Sequence, residues 1–150
     1  MTKLTDHFTL EEFLFSQTAA RLGIDNTPTG EVVTNLTEVA RYLEEIRRHF
    51  GRPVIVSSGF RCEKLNRAIK GSPTSAHRFG LAADFTVQGV PNIQVCEFIR
   101  DHMHDIDQVI YEFGPNGWVH IGLAKKPRGE SLTAIKVAGR TVYKPGIIAV

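Results

Sequence analysis

At 150 residues the chain is long enough to bury one hydrophobic core and too short for two, so a single domain over residues 1–150 is expected. Its 42% hydrophobic and 23% charged residues exclude an intrinsically disordered chain. The formal net charge is only +2 and the basic residues are scattered rather than gathered into a phosphate-tracking stripe, which argues against nucleic acid as a partner.

The chain opens on MTKLTDHFTL, which has no apolar stretch of the signal-peptide kind, and no later run approaches the roughly 20 apolar residues that span a bilayer. Synthesis in the cytoplasm without a signal peptide, and no stable membrane insertion, are the expectation. Thr9 and Glu12 form a capping-box pattern, predicting a short helix from there toward Ala20 with Leu10, Phe13, Leu14 and Ala20 inward. Residues 23–30, with Pro28, read as a loop. Val33, Leu36, Val39, Leu43, Ile46 and Phe50 then recur at steps of three and four, the pattern of the main core helix, closed by Gly51 and Pro53.

A β-branched run at 54–57 is followed by a polar helical turn near 63–69 and a turn at 71–74. Residues 82–87 read as a strand, and Pro91 starts an amphipathic helix through Ile93, Cys96, Ile99 and Met103. Apolar runs at 107–113 and 118–123 flank Gly114, Pro115, Asn116 and Gly117, the signature of an antiparallel hairpin; a weaker pair lies at 134–137 and 141–143. Helices first and hairpins later predict an α+β fold, N-terminal helices packed on a mainly antiparallel sheet. Cys62 and Cys96 lack any CxxC or zinc-ribbon spacing and read as free thiols.

The segment SAHRFGLAADF places His77 and Asp84 on either side of Gly80, where a sharp turn lets imidazole and carboxylate converge. His120, in WVHIGL, would supply the third protein ligand of a catalytic zinc site, and this mixed nitrogen and oxygen set suits zinc. By spacing alone the alternative stays open that these are ordinary surface or core histidines, since the chain has 6 of them.

The strings SSGFRCEKLNRAIKGSPTSAHRFGLAADF and DQVIYEFGPNGWVHIGL resemble the zinc D-Ala-D-Ala carboxypeptidase and L-alanyl-D-glutamate endopeptidase family, particularly its small phage-encoded members. Those proteins share the fold of the Hedgehog signalling domain. The resemblance covers residues 8–123, and its core pattern falls on Ser75, His77, Gly80, Ala82, Asp84 and His120. It implies His77, Asp84 and His120 as zinc ligands. It also implies Arg61 beside the active site, where a guanidinium can hold a substrate carboxylate or a developing oxyanion through paired donors. A structural salt bridge is the other reading of Arg61, and Ser75 either binds substrate backbone or caps its loop.

The chain departs from the family at the general base. Many members carry an acidic residue or a histidine three positions before the last ligand, and here that position is Gly117. The nearest carboxylate is Glu112, on the other strand of the predicted hairpin. A five-residue loop from Gly114 to Trp118 sets Glu112 opposite His120 on the same face, and a loop one residue shorter turns it away. A carboxylate there is suited to taking a proton from the attacking water and passing it to the leaving amine. His102, His104 and Asp107 are the fallback bases.

The resemblance therefore implies zinc-dependent hydrolysis of a bond in the peptidoglycan stem peptide, at D-Ala-D-Ala or at L-Ala-D-Glu. The alternative is a non-catalytic phage structural or binding protein that keeps the fold and metal. A monomer is expected. It would act on the cell wall after release through a permeabilised membrane, as a phage endolysin does, or be carried in a virion.

Overall fold

The structure, a computed structural model, describes residues 1–150. Contacts divide the chain into two compact units, Met1–Glu45 with Val56–Ala83 and Ile46–Ile55 with Asp84–Val150.

In the first unit a short antiparallel hairpin of β1 (Lys3–Thr5) and β2 (Phe8–Thr9), absent from the sequence reading, leads into α1 (Leu10–Leu14). The capping box forms, with the Thr9 amide donating to Glu12 Oε2 at 2.7 Å. The helix does not run on to Ala20. Phe15 is extended at ψ 133, and Ser16 starts a second helix, α2 (Gln17–Leu22), by accepting the Ala19 amide at 3.2 Å. A serine hydroxyl offers backbone donors a local partner, so it favours a new N-cap over the middle of a longer helix. With the axis reset there, Ala19 is buried and Ala20 is exposed.

Helix α3 (Gly30–Phe50) is the long core helix, and its buried stripe is Val32, Leu36, Val39, Ala40, Leu43 and Ile46. Val33 and Phe50, expected in that stripe, are only half-buried at its two ends. In the loop before it, the Asn26 side chain donates to the carbonyls of Leu14 (3.0 Å) and Phe60 (2.9 Å) and accepts the Cys62 amide at 2.8 Å. One side chain thus pins the segment between β3 (Val54–Ser58) and α4 (Glu63–Ala68), which carries Arg61.

In the second unit β4 (Ala82–Val87) leads to α5 (Asn92–His102), then β5 (Gln108–Glu112), β6 (Trp118–Gly122), β7 (Glu130–Val137) and β8 (Arg140–Pro145). Six strands form one sheet in the order β3-β4-β6-β5-β7-β8. The β5–β6 and β7–β8 pairs are antiparallel hairpins, as their turn residues predict, whereas β5 and β7 pair in parallel. That parallel pair follows from the chain returning over residues 123–129 to the free side of β5. The α+β class is as the sequence predicts. Val95, Cys96, Ile99, Ile106, Tyr111 and Ile121 are among the buried apolar residues of this unit.

Candidate metal centre

His77 is placed by a short 3-10 turn over Ala76–Phe79. Ser75 starts the turn, its hydroxyl oxygen accepting the His77 amide at 3.3 Å, and Gly80 ends it at φ +71. A Cβ on Gly80 would stand 2.8 Å from Val32 Cγ1 and 2.9 Å from the Val32 carbonyl oxygen, so both the left-handed backbone and the close approach require glycine. The His77 ring is 3% exposed, and its Nδ1 lies 2.6 Å from the Gly59 carbonyl oxygen. A carbonyl only accepts, so Nδ1 carries the proton and Nε2 holds the lone pair. Tying the outer nitrogen to a backbone acceptor is how proteins orient a metal-ligating imidazole.

Asp84 on β4 and His120 on β6 are both 8% exposed, with Asp84 Oδ1 2.9 Å from His120 Nδ1. Glu112 Oε1 lies 4.0 Å from that same nitrogen. In the β5–β6 register Ile110 stands opposite His120 and Glu112 stands opposite Trp118, leaving residues 113–117 as the connection. Glu112 therefore shares the His120 face, but one step along the diagonal rather than directly opposite, because the loop begins at Phe113 and ends at Gly117. Phe113 takes φ +63 to begin it.

His77, Asp84 and His120 are all buried, and each offers one ligand atom, these atoms lying within 4.8 Å of one another. Two imidazole nitrogens and one carboxylate oxygen match the three-ligand sets of catalytic zinc, which leave a fourth position open. The donor chemistry fits a divalent ion: one imidazole is oriented through its Nδ1 by the Gly59 carbonyl, and a buried carboxylate faces the other.

The structure also brings Arg61 and Ser75 together, with Arg61 Nη2 donating to Ser75 Oγ at 3.3 Å and the Arg61 amide to the His77 carbonyl at 3.0 Å. Ser75 does cap its turn. Arg61 lines an open groove of about 470 Å³ with Phe15, Ser57, Phe60 and Ile69. The fallback bases lie elsewhere. Asp107 precedes the far end of β5 and is held by Arg128 at 2.9 and 3.0 Å, whose hydrogen bonds and charge keep its carboxyl below the usual range. His102 packs on Phe98 with ring centroids 5.0 Å apart, and His104 is exposed.

Asn92 belongs to no motif of the sequence. This first residue of α5 is 5% exposed, and its side chain donates to the carbonyls of Gly117 (3.1 Å) and Pro115 (3.4 Å), fastening the β5–β6 connection. Its only local signal is an amide side chain directly after Pro91. Both cysteines are free. Cys62 caps α4 by accepting the Leu65 amide at 3.4 Å, while burial, then the charges of Glu97 and Glu112, push the Cys96 thiol up to about 12.

An α+β fold bearing a buried cluster of two histidines and an aspartate, with a further carboxylate beside it, is the arrangement of a metal-dependent hydrolase. A family model described as Peptidase M15 matches residues 6–122, and the chain belongs to that family of metallopeptidases. No curated protein matches it. The matched region ends with β6, so the β7–β8 hairpin lies beyond it. No helix is long and apolar enough to cross a membrane.

Proposed function

We propose that the protein is a zinc peptidase that hydrolyses a peptide bond in the stem peptide of peptidoglycan, at D-Ala-D-Ala or at L-Ala-D-Glu. The reading is carried by the His77, Asp84 and His120 donors lying within 4.8 Å of one another with the Glu112 carboxylate 4.0 Å from His120. His77, Asp84 and His120 would hold the zinc, which when bound would polarise the scissile carbonyl and lower the pKa of a water. Glu112 takes the proton of the attacking water and delivers it to the leaving amine nitrogen. The Arg61 guanidinium and the Ser75 hydroxyl orient the peptide by hydrogen bonds to its oxygens. Likeness to the small phage-encoded members supports action at the cell wall, by a monomer released at lysis or carried in a virion.

The test is to incubate the zinc-loaded protein with purified peptidoglycan, count the metal, and identify released fragments by mass spectrometry. One zinc per chain with new L-alanine or D-alanine termini supports the reading and names the bond. Stoichiometric zinc without cleavage sinks it in favour of a non-catalytic binding or structural protein.

A further inference from the structure

The β7–β8 hairpin lies past residue 122, where the family match ends, yet it continues the sheet next to β5. The registers line up four residues across four strands: Trp118 pairs with Glu112, Glu112 with Ala134, and Ala134 with Tyr143. Laterally paired residues share a face of a sheet, so Tyr143 stands on the face that carries Glu112 and His120. Two strand spacings, about 10 Å, separate the backbones of Glu112 and Tyr143, with the buried Ala134 paired between them. Tyr143 itself is 55% exposed and open to a ligand. Burial, then the charges of Glu112 and Asp84, push its hydroxyl above the usual phenol range. It is a protonated donor at neutral pH.

We propose that Tyr143 is a substrate-contacting residue, its hydroxyl donating a hydrogen bond to a backbone carbonyl of the peptide bound beside Glu112. The inference rests on the peptidase reading and adds to it a part supplied by the hairpin outside the matched region. A neutral donor suits this position, because a phenol hydroxyl donates to an uncharged peptide carbonyl without bringing a further charge to the face that carries Glu112. The bond to Tyr143 is made to bound peptide before and during reaction, so it affects binding and turnover efficiency together.

The experiment uses the zinc-loaded full chain and a soluble stem peptide. Cleavage is followed for the wild type, Tyr143→Phe and Lys144→Ala, the last on the opposite face of β8, and peptide affinity is measured by calorimetry with each change placed in Glu112→Gln protein. The expected result is a loss of about five- to tenfold in both affinity and kcat/KM for Tyr143→Phe, with zinc content and melting temperature unchanged. Lys144→Ala matches its parent. Cleavage by the wild type together with unchanged affinity and kcat/KM in Tyr143→Phe overturns this inference alone. A wild type that cleaves nothing overturns the peptidase reading and this inference with it.

Discussion

A Cβ at position 117 would stand 1.8 Å from the Glu112 carbonyl oxygen, so the backbone of Gly117 occupies space that no other residue can share. The same turn that sets Glu112 on the His120 face thus excludes a side chain at the position three residues before His120. Gly117→Ala is expected to cost roughly 1–3 kcal/mol, by forcing the connection apart. It should also lower activity by moving Glu112. Urea unfolding and peptidase assay of this variant check the point, and wild-type behaviour in both contradicts the close approach.

Glu112→Gln keeps the shape of the side chain and removes its basicity. Under the proposed mechanism, in which this carboxylate 4.0 Å from His120 is the proton shuttle, the substitution is expected to lower kcat by about 10²–10⁴-fold with zinc content unchanged. Full activity in this variant removes Glu112 from the mechanism. Asp107, already held by Arg128, and His102, packed on Phe98, offer no ready replacement.

Zinc should stabilise the fold through ligands presented only when it is formed. At a free zinc concentration about 100 times the dissociation constant the gain is about 2.7 kcal/mol. For a chain of 150 residues that corresponds to a rise of roughly 5–10 °C in melting temperature. Scanning calorimetry of chelated and zinc-loaded protein measures it, and His120→Ala should abolish most of the rise. An equal rise in that variant places the metal elsewhere.

Asp107 carries a pH dependence of stability. Its folded pKa is lowered by the hydrogen bonds and charge of Arg128, so its contribution is present above the unfolded value and is lost as pH falls through the folded one. The pair is partly exposed, and about 1 kcal/mol is expected at neutral pH. Urea unfolding of wild type and Asp107→Asn should differ by that amount at pH 7, and the difference should begin to shrink only below about pH 4 and vanish under the lowered folded pKa. A difference independent of pH contradicts the ion-pair account.

The sequence alone determined the features set by neighbours along the chain. The three- and four-residue steps define α3, the capping pair Thr9 and Glu12 starts α1, and the Gly-Pro-Asn-Gly run makes the β5–β6 connection. It also contained the residue types of the metal-binding cluster, with Gly80 as the turn beside them. Only the tertiary structure decided which side chains face one another. Ser16 split a helix because its hydroxyl captured an amide, and Val32 rather than Val33 entered the core stripe because the stripe depends on what the helix packs against. Glu112 reached the His120 face through the number of residues in one loop, where a single insertion reverses a strand's facing. Tyr143 joined that row through two successive strand registers, one parallel and one antiparallel. Register across strands is a long-range property settled by packing the whole sheet, so local pattern cannot specify it.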